Sequence, residues 1–159
     1  MRSRQNYHPL ETSPKTRGRE IRVSNFEIRP IGRVESTLHD LKSAPKQADE
    51  GAPSAWLVLT PEVGAGLQGI AVGDEIVLIT WLDRADRNLL SVHARGDTSK
   101  TQQGVFSTRS PHRPNPIGLH QVTITAVDGL RLQVRGLEAL DGTPIIDLKP
   151  VLDSDINKR

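Results

Sequence analysis

The run Val122-Thr-Ile-Thr-Ala-Val127 alternates apolar and polar residues, then meets Asp128-Gly129 and a second apolar-rich run. Alternation with a period of two puts one set of side chains on a buried face and leaves the other in water, as a β-strand does. Asp-Gly between two such runs is a hairpin signal, because glycine supplies the positive φ that a tight turn requires. Similar runs fall at 26–35, 55–59, 75–82, 90–95, 105–108, 119–128 and 130–137. Short strands separated by turn signals are the pattern of a small β-barrel or sandwich. The expectation is a mainly all-β fold, an antiparallel β-barrel of about seven strands with one short helix. Pro61-Glu62 opens that helix, over 62–70, with proline in its first turn. Its three glycines weaken it.

A chain of 159 residues is long enough for one domain with a real core. Aromatic residues make up 3 %, so Val, Ile and Leu must fill that core. Cysteine is absent, which excludes disulfides and thiolate chemistry and fits a reducing, cytoplasmic setting. The five histidines are scattered without ligand spacing, so no protein-bound metal is expected. No apolar run approaches the roughly eighteen residues of a membrane helix, so no membrane partner is expected either.

The net charge of +2 conceals an asymmetry, since residues 1–25 hold six Lys or Arg against two acids. The division read from this is a basic, disordered tail over 1–25, a barrel domain over 26–152 and a short C-terminal tail over 153–159. The tail has the composition of a solvated segment, and its charge would also suit RNA.

Residues 104–119 read Gly-Val-Phe-Ser-Thr-Arg-Ser-Pro-His-Arg-Pro-Asn-Pro-Ile-Gly-Leu. Pro111, Pro114 and Pro116 each fix φ and push the residue before them towards extended backbone. The loop is therefore stiff before any tertiary contact forms, and it presents the forked donors of Arg109 and Arg113. Such a loop suits a carboxylate or a phosphate, because little order is lost on binding. A rigid strand connection, or a polyproline-like ligand for another domain, would have the same composition. The loops at 42–54 and 97–103 are long for a compact barrel, as binding loops are.

This segment, with the opening Ile31-Gly-Arg-Val-Glu-Ser36 and the later Asp141-Gly-Thr-Pro-Ile-Ile-Asp-Leu-Lys-Pro150, resembles the YaeB/TsaA/TrmO family. The motifs span roughly 26–152. The resemblance implies an S-adenosylmethionine-dependent methyltransferase, acting on N6 of threonylcarbamoylated adenosine beside the tRNA anticodon. It also implies a homodimer of β-barrels with the cofactor near the subunit interface. A doubly wound cofactor site would need βαβ alternation and a glycine-rich turn, and the chain has neither. Longer relatives of this family carry a further domain after the barrel, which would add RNA contacts.

Carried across by motif, the cofactor site comprises Pro45, Lys46 and Gln47, where lysine stands for the family's arginine and loses its planar fork. Leu82 and Asp83 close the third strand. Asp83 would hold a ribose hydroxyl or an amino group, or simply start the turn to Asp86. Arg109 would pair with a carboxylate and Leu119 offer apolar or backbone contact. Gly136, Leu137, Glu138 and Ala139 would line the adenine. His112 would stack on a base, while Arg113 and Lys149 would meet phosphate. Asp147 is the candidate proton acceptor, its structural alternative being a pair with Lys149 or a turn cap. A non-catalytic module that binds the cofactor or RNA, or an enzyme for a small molecule or protein, would carry the same residues.

Overall fold

The computed structural model describes residues 26–40, 44–45, 51–93 and 98–152. The expected basic arm, Lys46, Gln47 and the segment from 153 lie outside the described residues. Eight strands are formed among those described: β1 Gly32–Glu35, β2 Ala55–Leu59, β3 Glu75–Trp81, β4 Ser91–His93, β5 Gln102–Gly104, β6 Ile117–Asp128, β7 Arg131–Arg135 and β8 Pro144–Pro150. Six of them hydrogen-bond in the antiparallel order β1-β2-β7-β6-β3-β8. Gly32 pairs with Leu59 of β2 on one side and Ile145 of β8 on the other, so the sheet closes on itself as a barrel. β4 and β5 form a separate two-stranded sheet.

The inward face of each strand follows the period of two. Leu57 and Leu59 of β2, Ile76 and Leu78 of β3, Val122 and Ile124 of β6, Leu132 and Val134 of β7, and Ile145 of β8 are buried together with Val34. The core is thus aliphatic. A two-residue turn at Gly129 and Leu130 joins β6 to β7, with Asp128 opposite Arg131 and Gly129 at φ 57°. That is the hairpin the Asp-Gly pair predicts. The alternation of Val122–Val127 stops short, however. A bulge between Ile124 and Ala126 shifts the register, and Val127 is left exposed.

Several expectations need correction. The first strand starts at Gly32 rather than at 26, since Pro30 has no N–H for a ladder and only Ile31 reaches across, to the Ile145 carbonyl at 2.8 Å. Residues 105–108 are not a strand. Val105–Ser107 is a 3-10 turn with Val105 buried, and the strand precedes it at Gln102–Gly104, where exposed side chains give no apolar signal. The last strand, β8, lies in a segment read above only as a motif. Prolines bound it at both ends, where a missing N–H is tolerated. The helix expected at 62–70 is a 3-10 helix over Pro61–Leu67, as suits a glycine-rich segment poor in α-helix formers.

Candidate functional site

Arg113 organises the loop that leads into β6. Its guanidinium Nη2 donates to the Val105 carbonyl at 3.0 Å and the Thr108 carbonyl at 2.6 Å, and its Nε donates to the Ser110 carbonyl at 2.8 Å. Prolines cannot tie such a loop by backbone N–H groups, so the forked side chain takes over that task. Two further contacts dock the segment after β3 against it. The Asp86 N–H donates to His112 Nδ1 at 2.9 Å, and Arg87 Nε donates to the Pro114 carbonyl at 2.8 Å while its guanidinium lies over the Trp81 ring. With Nδ1 accepting, the neutral His112 ring carries its proton on Nε2.

Between this loop, the end of β3, the β4–β5 sheet and the start of β6 lies an open cavity of about 1390 Å³. Pro45, Leu82, Asp83, Arg109, Leu119, Glu138 and Ala139 line it, as do His112 and Arg113. Arg109 has no internal partner among the described residues, and its side chain is exposed. Among the described residues it is the cation of this loop without a partner, whereas Arg113 is engaged internally.

Four expected residues are placed elsewhere. Leu137 is buried in the barrel core, and Gly136 before it takes a positive φ of 76° to turn the chain inward. Asp147 and Lys149 sit together on β8, with Lys149 Nζ 2.8 Å from Asp147 Oδ2, and Asp147 Oδ1 accepts the Leu148 N–H. Neither lines the cavity. The pairing expected as the structural alternative for Asp147 is the one present.

A group that the motifs did not single out lies in the cavity wall. His120 of β6 is 6 % exposed, and Thr80 of β3 is fully buried. His120 Nε2 is 2.9 Å from Thr80 Oγ1, and its Nδ1 is 2.7 Å from Glu138 Oε1. Both His120 and Glu138 line the cavity. The signal was present in the periodicity: His120 shares its strand face with Val122 and Ile124, so a polar residue stands at a core position and requires partners. Gly118, two residues earlier, makes room. A methyl there would press on Thr80 Oγ1 and lie 2.7 Å from His120 Nε2.

Burial pushes the Glu138 carboxyl up, but the hydrogen bond from His120, its charge and the residue's own backbone N–H outweigh that and hold the pKa below the ordinary value. The sign of the linkage follows. Stability from this group is present above the unfolded pKa and is lost as pH falls through the lower folded value. Urea denaturation should therefore show stability declining on acidification below about pH 4.5. Glu138→Gln should flatten part of that decline, and an unchanged pH slope would count against the pairing. Among the described residues no cluster of His, Cys, Asp or Glu could hold a metal, and no helix is long and apolar enough to cross a membrane.

Residues 33–155 match the family described as the tRNA-methyltransferase O N-terminal domain. The chain is 42 % identical over 122 residues to an S-adenosyl-L-methionine-binding protein of Archaeoglobus fulgidus, covering 77 % of this chain and 86 % of that one. A "Probable S-adenosyl-L-methionine-binding protein" of the same organism is 40 % identical over 124 residues, 78 % of this chain but a third (33 %) of its own length. The crystal structure of TrmO from Pseudomonas aeruginosa superposes with a TM-score of 0.67 at 28 % identity, covering 88 % of this chain and 62 % of that one.

Proposed function

Because the chain belongs to the family of the tRNA-methyltransferase O N-terminal domain, we propose that it is an S-adenosylmethionine-dependent tRNA methyltransferase, acting on N6 of threonylcarbamoyladenosine beside the anticodon. The observation that carries the cofactor part of this reading is the charge set of the cavity, while the tRNA part rests on the family match. It offers Arg109, a guanidinium with no partner among the described residues, two carboxylates, Asp83 and Glu138, and apolar surface from Leu82, Leu119 and Ala139. S-adenosylmethionine has a carboxylate, an ammonium, a sulfonium and an aromatic base, and each finds a counterpart there. The cavity's 1390 Å³ is ample for it.

The bound cofactor supplies a methyl group on a sulfonium, an excellent leaving group. The chain's residues have mainly to align it with the acceptor, a proximity effect. Arg109 would bind the carboxylate end, and Asp83 would meet the amino group or a ribose hydroxyl. Leu82, Leu119 and Ala139 exclude water from the base. His112, held at Nδ1 by the Asp86 N–H, presents its ring for stacking on the acceptor base. An adenosine in an anticodon loop is already single-stranded, so splaying it into the cavity costs less than flipping it from a duplex. Exposed Leu89, Phe106, Ile117 and Leu119 around the cavity supply an apolar rim that a second copy of the chain would cover. Such a dimer would meet its tRNA in the cytoplasm.

Calorimetry with the cofactor and its demethylated product, followed by labelled transfer to tRNA with or without the threonylcarbamoyl group, tests the reading. Label on the modified tRNA alone is the expected result. Absence of any binding heat at millimolar cofactor would end it. Arg109→Ala should weaken cofactor binding by about 1.5–3 kcal/mol, the loss of a charge-assisted hydrogen bond. Unchanged affinity would move the carboxylate site elsewhere. Tight binding with no transfer to any RNA would favour a binding module, a reading that the name of the Archaeoglobus fulgidus relative suggests.

A further inference from the structure

We propose that Glu138 accepts the proton released by the acceptor nitrogen during methyl transfer, and that His120 is the positioning residue that aims this carboxylate. The proposal rests on the methyltransferase reading above. Of the acids lining the cavity, Asp83 is solvent-exposed, whereas Glu138 is half-buried and fixed by a buried imidazole. An ionised carboxylate offers about four acceptor sites. His120 and the residue's own backbone N–H occupy part of that capacity, and the rest is available to a ligand N–H.

The unit behind Glu138 is built at some expense. His120 stands where the strand period calls for an apolar side chain, and both its ring nitrogens are engaged. In the neutral ring, Thr80 donates its hydroxyl proton to Nε2, which places the Nδ1 proton towards Glu138. Gly118 gives up a side chain so that Thr80 and His120 can meet. A buried polar network tolerated in a barrel wall and opening on the cavity is the arrangement that holds a catalytic group at a fixed angle.

The chemistry asks for no more than a carboxylate. As the N–C bond forms, the C–S bond breaks and its electron pair stays on sulfur. The acceptor nitrogen, its lone pair now committed, becomes strongly acidic, and its proton passes to Glu138 and then to solvent. No other reactant is required. The other titratable groups on the cavity wall are Asp83, Arg84, His93, Arg109, His112 and Arg113. None of these has a hydrogen bond or ion pair to Glu138 among the described residues.

Glu138→Gln, measured at saturating cofactor so that any loss of affinity is removed, should lower single-turnover transfer by roughly 100-fold or more, the usual contribution of a general base. His120→Gln, whose amide stands at the Nε2 position facing Thr80 and not at Nδ1, should slow transfer less and move the acid limb of the pH–rate profile upward. In the ligand-free protein, the Glu138 carboxyl carbon followed by NMR should titrate at higher pH in His120→Gln than in the wild type. This last arm needs no activity and separates positioning from mere folding. His120→Asn, whose amide N–H stands at the Nδ1 position facing Glu138, should restore part of the titration. Wild-type transfer by Glu138→Gln, an unmoved titration in a folded His120→Gln protein, or Asp147→Asn stopping transfer where Glu138→Gln does not, would each overturn the proposal. A wild-type protein that binds no cofactor would instead defeat the methyltransferase reading, with the NMR titration still deciding the role of His120.

Discussion

Arg113→Ala is expected to abolish ligand binding at the cavity while leaving the barrel folded. The three carbonyls that Arg113 satisfies, of Val105, Thr108 and Ser110, belong to a loop with three prolines and few backbone bonds of its own. Hydrogen bonds from a charged donor contribute about 1.5–3 kcal/mol each when buried. These are partly exposed and share one side chain, so a combined loss of about 3 kcal/mol is the reasonable figure. That is enough to release the loop, and with it Arg109 and His112, from their positions on the cavity wall. Cofactor affinity should then fall by more than roughly 30-fold, since the loop must be reordered on each binding event. The barrel strands make no bond to this guanidinium, so the midpoint of denaturant unfolding should move little. Arg113→Lys should not rescue binding, because an ammonium lacks the planar fork that reaches carbonyls in two directions. Calorimetry beside a denaturation curve checks both halves; retained affinity in the alanine variant would show that the loop holds itself.

Gly32→Ala should be the most damaging single methyl in the barrel. Gly32 stands where β1 closes the sheet, opposite Leu59 on one side and Ile145 on the other. A Cβ at this position would press on the Val58 carbonyl oxygen and lie 2.9 Å from both the Leu59 Cα and its Cδ2. Two of these three atoms are backbone and cannot rotate away. Relief would require β2 to shift against β1, at a point where β1 has only four residues to hold it. Overpacking typically costs 1–3 kcal/mol, and backbone clashes fall at the upper end, so about 3 kcal/mol is expected. For a domain of this size that is a fall in Tm of roughly 10 °C. A thermal scan within 2 °C or so of wild type would mean that the strands part more easily than the pairing implies.

The strands that were legible were those whose burial follows alternation. Ala55, Leu57 and Leu59 alternate with Trp56 and Val58, and β2 runs over those five residues. Glycine at 129 marked the hairpin for the same local reason. β8 was not legible, because its prolines read as punctuation and its partners, β1 and β3, lie far away in sequence. Val105 and Phe106 looked like a strand because local apolarity cannot show that Arg113 will take their segment's carbonyls. At the site, motif matching gathered Arg109, Asp83 and Glu138 to one cavity, but it gave no distances. It therefore could not show that Arg113 is engaged by loop carbonyls while Arg109 has no partner among the described residues. His120 was within reach of the periodicity argument, since a histidine in phase with Val122 and Ile124 demands partners. Its partner Thr80, forty residues earlier, could only be found once β3 and β6 were in register.

The β4–β5 ribbon shares no strand pairing with the barrel. Insertions, deletions or exchanges of chemistry between 82 and 116 therefore leave the register of the six barrel strands intact. The floor of the cavity and its walls answer to different constraints. A change in the ribbon or its flanking loops would thus reshape the cavity wall without touching the Thr80–His120–Glu138 contacts.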